Sequence, residues 1–136
     1  MRFRPYRKGG TTVEMAFVAP FVFLLVFGSI EFSRMMMIRQ ALTNAAREGA
    51  RHACLVNTNN ASNSEQVIRD TLRGVVAGHD DADIVRVEFD PPFTETLSPG
   101  TEIVASVEVD CSDVSWIPPM FFSGAVIRGS STMKRE

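Results

Sequence analysis

Histidine, cysteine and tryptophan are scarce in this chain of 136 residues, which holds two histidines, two cysteines and one tryptophan. His52 and His79 stand in no His-x-x-x-His, Cys-x-x-Cys or nucleophile-elbow pattern. The acidic run at residues 79–83 lacks the order and the glycine of an EF-hand, and we interpret it as a solvated turn. The sequence also has no glycine-rich phosphate loop. It therefore predicts no catalytic residue, no metal and no cofactor, and the chain is not expected to be an enzyme.

Positive charge is scarce beyond the first eight residues. Those residues carry four cations and no acid, which leaves 10 lysines and arginines against 16 aspartates and glutamates in the rest. Because nucleic-acid binding depends on clustered Lys and Arg, this acidic body is not expected to bind nucleic acid. With 45% apolar residues and room for one ordinary domain, the chain is neither disordered nor a multidomain enzyme.

Charge is absent altogether from Met15 to Ile30, a run of 16 residues. Counted from Val13, and tolerating Glu14, the apolar segment makes about 27 Å of helix, close to the hydrocarbon thickness of a bilayer. The sequence thus predicts a transmembrane helix over residues 10–30. The positive-inside rule places the basic front in the cytoplasm and residues 31–136 outside it, so membrane association is expected.

Three interpretations compete for this segment. A secretory signal peptide has a shorter apolar core and a small-residue cleavage site, for which residues 28–30 are poor. A plain anchor fits the length but leaves Glu14 unexplained unless it snorkels to the headgroups. In the third, a protease cuts between Gly9 and Gly10, and Glu14 becomes the fifth residue. Its carboxylate then pairs with the new α-amine of a neighbouring copy, which neutralises both charges in an apolar bundle.

The third arrangement is that of class III signal peptides, and residues 7–20 (RKGGTTVEMAFVAP) resemble the opening of TadE-like pseudopilins of the tight-adherence (Flp) pilus system. Residues 28–34 (GSIEFSR) and 45–51 (AAREGAR) are similar to later motifs of that family, and residues 130–136 (SSTMKRE) loosely resemble its C-terminal strand. The resemblance implies a minor pseudopilin needed for pilus assembly, with roles in adherence, biofilm formation or secretion. It implies a prepilin peptidase, other pilin and pseudopilin subunits and the Tad inner-membrane assembly platform as partners.

The resemblance and the residue pattern together predict an α+β, pilin-like fold. A long helix is expected from about residue 12 to residue 53, with a kink at Pro20, which removes the hydrogen bond to the Ala16 carbonyl. A short second helix is expected to begin at Glu65, capped by Ser64, and to run to Gly78. Strands are expected near residues 84–89, 102–110 and 125–133 in a small antiparallel sheet. The predicted division is a leader at 1–9, a transmembrane helix at 10–30 and a periplasmic domain at 31–136.

Three features of the outer domain leave alternatives open. Cys54 and Cys111 form an even pair in a domain expected outside the cytoplasm, which suggests a disulfide, with two free buried thiols as the alternative. A ladder of small residues (Ala41, Ala45, Gly49 and Ala53) fits close approach of another helix or packing on the protein's own sheet, and we favour the sheet. The apolar loop Trp116–Phe122 fits core, membrane or interface equally.

The alternative function is an uncleaved single-pass inner-membrane protein whose periplasmic domain docks a partner in an envelope complex. The sequence does not distinguish incorporation into a fibre from assistance in its assembly. It also does not identify the partner subunits or an adhesion target.

Overall fold

The structure is a computed structural model that describes residues 10–55, 61–76, 84–92, 98–115 and 124–135. It confirms the predicted α+β arrangement of a long N-terminal helix, a short helix and a three-stranded antiparallel sheet. The elements in chain order are α1 (Gly10–Cys54), α2 (Ala61–Leu72), β1 (Val85–Asp90), β2 (Glu102–Asp110), α3 (Cys111–Val114) and β3 (Val126–Lys134). The chain divides into two compact units, Met1–Ser33 and Arg34–Glu136, and α1 contributes to both.

The sheet of the second unit has β2 at its centre, paired antiparallel with β1 and with β3. Side chains alternate between the two faces of a strand, and β2 buries every second one. The four buried residues are those that the alternation predicts, namely Ile103, Ala105, Val107 and Val109. They belong to the same core as the buried face of α1, so the second half of α1 lies against one face of the sheet.

The buried face of α1 is built largely from small residues. Ala45, Gly49 and Ala53 are buried and Ala41 is half-buried, so the small-residue ladder packs on the protein's own core. Gly49, however, faces Ile68 and Ser64 of α2 and not the sheet. At Gly129 of β3, an added Cβ would lie 2.5 Å from the Thr43 nitrogen and 2.6 Å from the Leu42 carbonyl carbon. The absence of a side chain at Gly129 therefore allows the backbone of α1 to approach the sheet directly.

The second helix begins earlier than the sequence predicted. It spans Ala61–Leu72, so Ser64 lies inside α2 and does not cap it. Ser64 is fully buried, and its Oγ lies 3.1 Å from Nδ1 of His52 on α1. The Ser64 hydroxyl finds its hydrogen-bond partner in a tertiary contact, so the serine can be buried inside the helix. The predicted cap at Ser64 is therefore wrong. The predicted end of this helix at Gly78 lies outside the described residues.

The predicted disulfide between Cys54 and Cys111 is not present, because both residues are buried free thiols. Cys54 packs with Ile103 near the start of β2, whereas Cys111 follows the last residue of that strand. A nine-residue strand is roughly 25–30 Å long. A disulfide requires Cα atoms about 4.4–6.8 Å apart, so the two thiols cannot meet in this fold.

Burial also makes Cys111 a poor nucleophile. Desolvation, and secondarily the neighbouring Asp110 carboxylate, raises the pKa of the Cys111 thiol. A raised pKa keeps the group in its neutral thiol form near neutral pH, and the thiolate is the reactive species. The cysteine of the second unit's larger core is therefore best regarded as a small packing residue.

Candidate membrane anchor and assembly surface

The N-terminal part of α1 is an apolar helix that the described part of the chain leaves unburied. Its most apolar 18-residue window has a mean hydropathy of 2.2, and none of that window is buried. Phe17 and Leu24 are 73% and 74% exposed, values that a core helix of a water-soluble domain does not show. By length and composition, α1 is the one helix among the described residues that could cross a membrane.

Two serine hydroxyls and one pair of aromatic rings in this segment make their contacts with neighbours on the same helix. Ser29 Oγ donates a hydrogen bond to the Leu25 carbonyl and Ser33 Oγ to the Ser29 carbonyl, both at 2.8 Å. These bonds satisfy the hydroxyl donors without water, as a lipid environment requires. Phe17 and Phe21 pair along the helix with ring centroids 5.8 Å apart. The segment therefore presents a lipid-compatible surface.

Glu14 places a carboxylate on this otherwise apolar surface. It is exposed, and it is the fifth residue of a helix that begins at Gly10. No acidic residue occupies the first turn of α1, so Glu14 lies beyond the positions where a carboxylate caps free backbone N–H groups. None of the described residues forms an ion pair or hydrogen bond with it, whereas Val13, Met15 and Phe17 around it are exposed and apolar. An acid in such a segment calls for a partner from another molecule or from the membrane surface.

Gly10 and Pro20 lie on the same helix as Glu14. Gly10 is its first residue, exposed, and an added Cβ there would meet nothing within 4 Å, so this end of the helix is sterically open. Pro20 lies inside α1, where its ring removes one backbone hydrogen bond although the helix continues on both sides. A kink at Pro20 stays a prediction.

Other predicted features lie apart from this segment or outside the described residues. Gly9, on the other side of the predicted scissile bond, and the loop Trp116–Phe122 are outside the described residues. Cys54 and Cys111 are core residues of the second unit. Within the described ranges, no group of three or more His, Cys, Asp or Glu side chains could hold a metal ion.

The charged surfaces of the second unit were not predicted from the sequence. The outward-facing residues of the three strands carry several acids and bases, and two ion pairs cross between strands there, Arg86–Asp110 and Arg128–Glu108. The signal for these surfaces in the sequence is the set of polar residues that alternate with the apolar ones along each strand. A surface of this kind can contribute to recognition between subunits.

These features define a class of protein with a small α+β domain and one long helix whose N-terminal part is apolar and unburied, and this combination fits a membrane-anchored pilin. Residues 9–51 match the model of the TadE-like protein family, which confirms over that range the resemblance found in the sequence. The match is consistent with a TadE-like protein of the Tad pilus system, and it implies membrane association and pilus partners. No curated protein and no solved structure matches the chain.

Proposed function

We propose that the chain is a minor pseudopilin needed for assembly of Flp-type pili, and that it is processed by a prepilin peptidase between Gly9 and Gly10. Hydrolysis of that peptide bond leaves a carboxylate on Gly9 and a free α-amine on Gly10. The chain acts in this scheme as the substrate of an enzyme and performs no catalysis itself. The mature protein stays in the bacterial inner membrane, with its N-terminus towards the cytoplasm and the second unit in the periplasm.

One observation carries this proposal, the position of Glu14 in an apolar, unburied helix that begins at Gly10. The four-residue separation from Gly10 corresponds to about 6 Å along the helix axis. The carboxylate of one copy can therefore reach the amine of another copy that is displaced by about one helical turn. The pair would neutralise two charges that are each strongly disfavoured in hydrocarbon. The TadE-like match covers Gly9, Gly10 and Glu14 together, which further supports the assignment.

The proposed partners follow from the same scheme. The peptidase must bind the basic leader and the residues around the scissile bond. Other pilin and pseudopilin subunits must supply helices and N-terminal amines, and the Tad inner-membrane assembly platform must gather these subunits. Adherence, biofilm formation and secretion are the processes that such pili serve.

Deletion of the coding sequence from the native host tests the function. Flp-type pili, counted on cells by electron microscopy, are expected to disappear and to return when the full chain is supplied from a plasmid. Pili in normal number after deletion would contradict an assembly role. If the chain is also found uncleaved in membranes of the undeleted host, the single-pass docking protein is the better account.

A further inference from the structure

The face of the sheet that points away from α1 is an exposed, polar surface, which we call the outer sheet face. It is formed by the residues that alternate with the buried ones, and on β1 these are Arg86, Glu88 and Asp90, all exposed. On β2 the corresponding residues include Glu102 and Glu108, and on β3 they include Arg128 and Lys134. A sheet face that carries so many charges does not pack into the protein's own core.

Charge is balanced at one end of the outer sheet face. Arg86 donates to Asp110 at 2.6 Å, and Arg128 is paired with Glu108 on the adjacent strand. These four side chains neutralise one another across the three strands. They add rigidity to this end but leave little net charge there for a partner.

The other end of the outer sheet face is acidic. Glu88 and Asp90 follow each other on the same face of β1, and Glu102 lies diagonally across from Asp90 because Asp90 pairs with Val104. Diagonal neighbours of this kind are about 7–8 Å apart. Lys134, opposite Glu102, is the one cation in this region of the outer sheet face as described. Three carboxylates therefore face one ammonium group.

The side of α1 that points away from the sheet carries the opposite charge, and we call it the outward α1 face. Between Arg34 and Cys54, α1 contains four arginines and one acid, Glu48. Arg39, Arg47 and Arg51 are exposed, and the Arg51–Glu48 pair is long at 3.6 Å and open to solvent. The second unit is thus basic on its helix side and acidic on its sheet side.

Both charged surfaces lie at the same level of the second unit. Cys54 and Ala53 at the end of α1 pack with Ile103, which is the neighbour of Glu102 on β2. Arg51 and Arg47 precede Cys54 by three and seven residues, or about 5 and 10 Å along the helix. The cations of one side therefore stand level with the carboxylates of the other.

We propose that the outward α1 face of one copy docks on the outer sheet face of a second copy of this chain, with Arg47 and Arg51 against Glu88 and Asp90. Two copies whose α1 helices run parallel would meet in this way side by side. Arg47 and Arg51 are themselves about one helical turn apart, so the displacement of about one turn that the pairing of Glu14 requires keeps an arginine against the carboxylates. The contact is heterologous, because two different surfaces meet, so it can extend from copy to copy. This proposal rests on the proposed function for the parallel anchoring that brings the copies together.

Electrostatic complementarity of exposed groups selects partner and register more than it supplies affinity. Each exposed pair contributes little by itself and is screened by salt, with a Debye length of about 10 Å at 0.1 M. The contact should therefore be specific yet salt-sensitive, and it should depend on the concentration that a shared membrane provides.

Cross-linking of the full chain in native-host membranes tests the contact. One tagged copy carries Asn44→Cys on the outward α1 face, and a second, differently tagged copy carries Ser130→Cys on the outer sheet face. Both native residues are exposed. A short bis-maleimide then joins the two cysteines. A cross-linked dimer is expected at low salt, with a yield reduced several-fold at 0.5 M salt, since the Debye length then falls to about 4 Å. A matched pair with Gln66→Cys on α2 in place of Asn44→Cys is expected to give no dimer. Equal yields from the two pairs would overturn the proposal.

Charge reversal gives the decisive comparison. R47E/R51E and E88K/D90K, each introduced into both copies, are expected to lower the dimer yield about tenfold, because like charges then face each other. All four changes in the same chain restore opposite charges and should restore the dimer. A control reversal at the end of α2, D70K on the helix and R73E just after it, exchanges the charges of an exposed pair and should have no effect. Failure of the four-fold variant to recover the dimer would contradict docking between copies and would indicate a different partner for these faces.

The mass of the chain in the same membranes separates this result from the proposed function. Recovery by the four-fold variant in an unprocessed chain would support the contact and count against the pseudopilin. Removal of residues 1–9 without charge-dependent cross-linking would support the pseudopilin and overturn the contact.

Discussion

Glu14→Gln is expected to leave cleavage after Gly9 intact and to reduce incorporation or recruitment of the subunit by about 100-fold or more. The amide keeps the shape of the side chain but removes the charge that balances a neighbour's α-amine. Removal of one partner from a buried ion pair costs about 3–5 kcal/mol, and each 1.4 kcal/mol is tenfold in affinity. Pilus counts by electron microscopy, together with the mass of the membrane-bound chain, measure the two effects separately.

Glu48→Gln is the matched control for this substitution. Glu48 lies on the same helix, is exposed, and forms a long ion pair with Arg51 at 3.6 Å. Exposed pairs of this kind contribute about 0–1 kcal/mol, so the control should give pili in normal number. Normal piliation by Glu14→Gln as well would remove charge pairing from the account.

Gly129→Ala is expected to destabilise the second unit by about 3 kcal/mol, at the upper end of the range for overpacking. The new Cβ would lie 2.5 Å from the Thr43 nitrogen and 2.6 Å from the Leu42 carbonyl carbon, both backbone atoms of α1. Backbone atoms in the middle of a helix cannot move without displacing the helix from the sheet. Urea denaturation of the detergent-solubilised full chain, followed by amide exchange in β2, measures the loss.

Gly49→Ala provides the comparison within the same core. Its Cβ would lie 2.4 Å from Cδ1 and Cγ1 of Ile68, a buried β-branched side chain of α2 that must shift to make room. Alanine gains up to about 1 kcal/mol of helix propensity over glycine, which offsets part of this overpacking. The net loss should be about 1–2 kcal/mol, below that of Gly129→Ala, because a side chain yields more readily than the backbone of a helix. If the two substitutions destabilise equally, direct contact between the α1 backbone and β3 is not what makes Gly129 necessary.

Much of the fold was predictable because strong periodic signals decide it. The long helix was expected from about residue 12 to 53 and spans Gly10–Cys54, since no residue other than Pro20 and the glycines opposes it. The second strand was expected at residues 102–110 and is found there, because strict alternation of apolar and polar residues fits one half-buried strand. The observed β1 and β3 lie within one residue of the predicted strands.

Details that depend on tertiary contacts were not predictable in the same way. Phe32 and Met36 are large apolar residues of α1, yet they are exposed, while Ile38 is buried. The choice among apolar residues depends on where the sheet lies around the helix, and local spacing does not specify this. The sequence predicts Ser64 as a cap because it directly precedes Glu65 and the apolar face of the helix, and its bond to His52, twelve residues earlier, leaves no local signal.

Prediction of the candidate site residues from the sequence also fails where it depends on the tertiary fold, as the cysteines and the charged surfaces show. An even number of cysteines indicates a possible pair only when the fold brings them together, and here they lie at opposite ends of β2. Glu14 could be singled out from the sequence because a lone acid in an apolar run conflicts with its surroundings. The proposed contact between Arg47 of one copy and Glu88 of another could not be predicted from the sequence, because it requires knowing which faces of α1 and of the sheet point outward.

The intact mass of the protein extracted from membranes of its native host tests the central claim most directly. The account predicts that residues 1–9 are missing and that the chain begins at Gly10, which would place the free amine four residues before Glu14. A mass corresponding to the full 136 residues would contradict processing at this bond, and with it the charge pairing that explains Glu14.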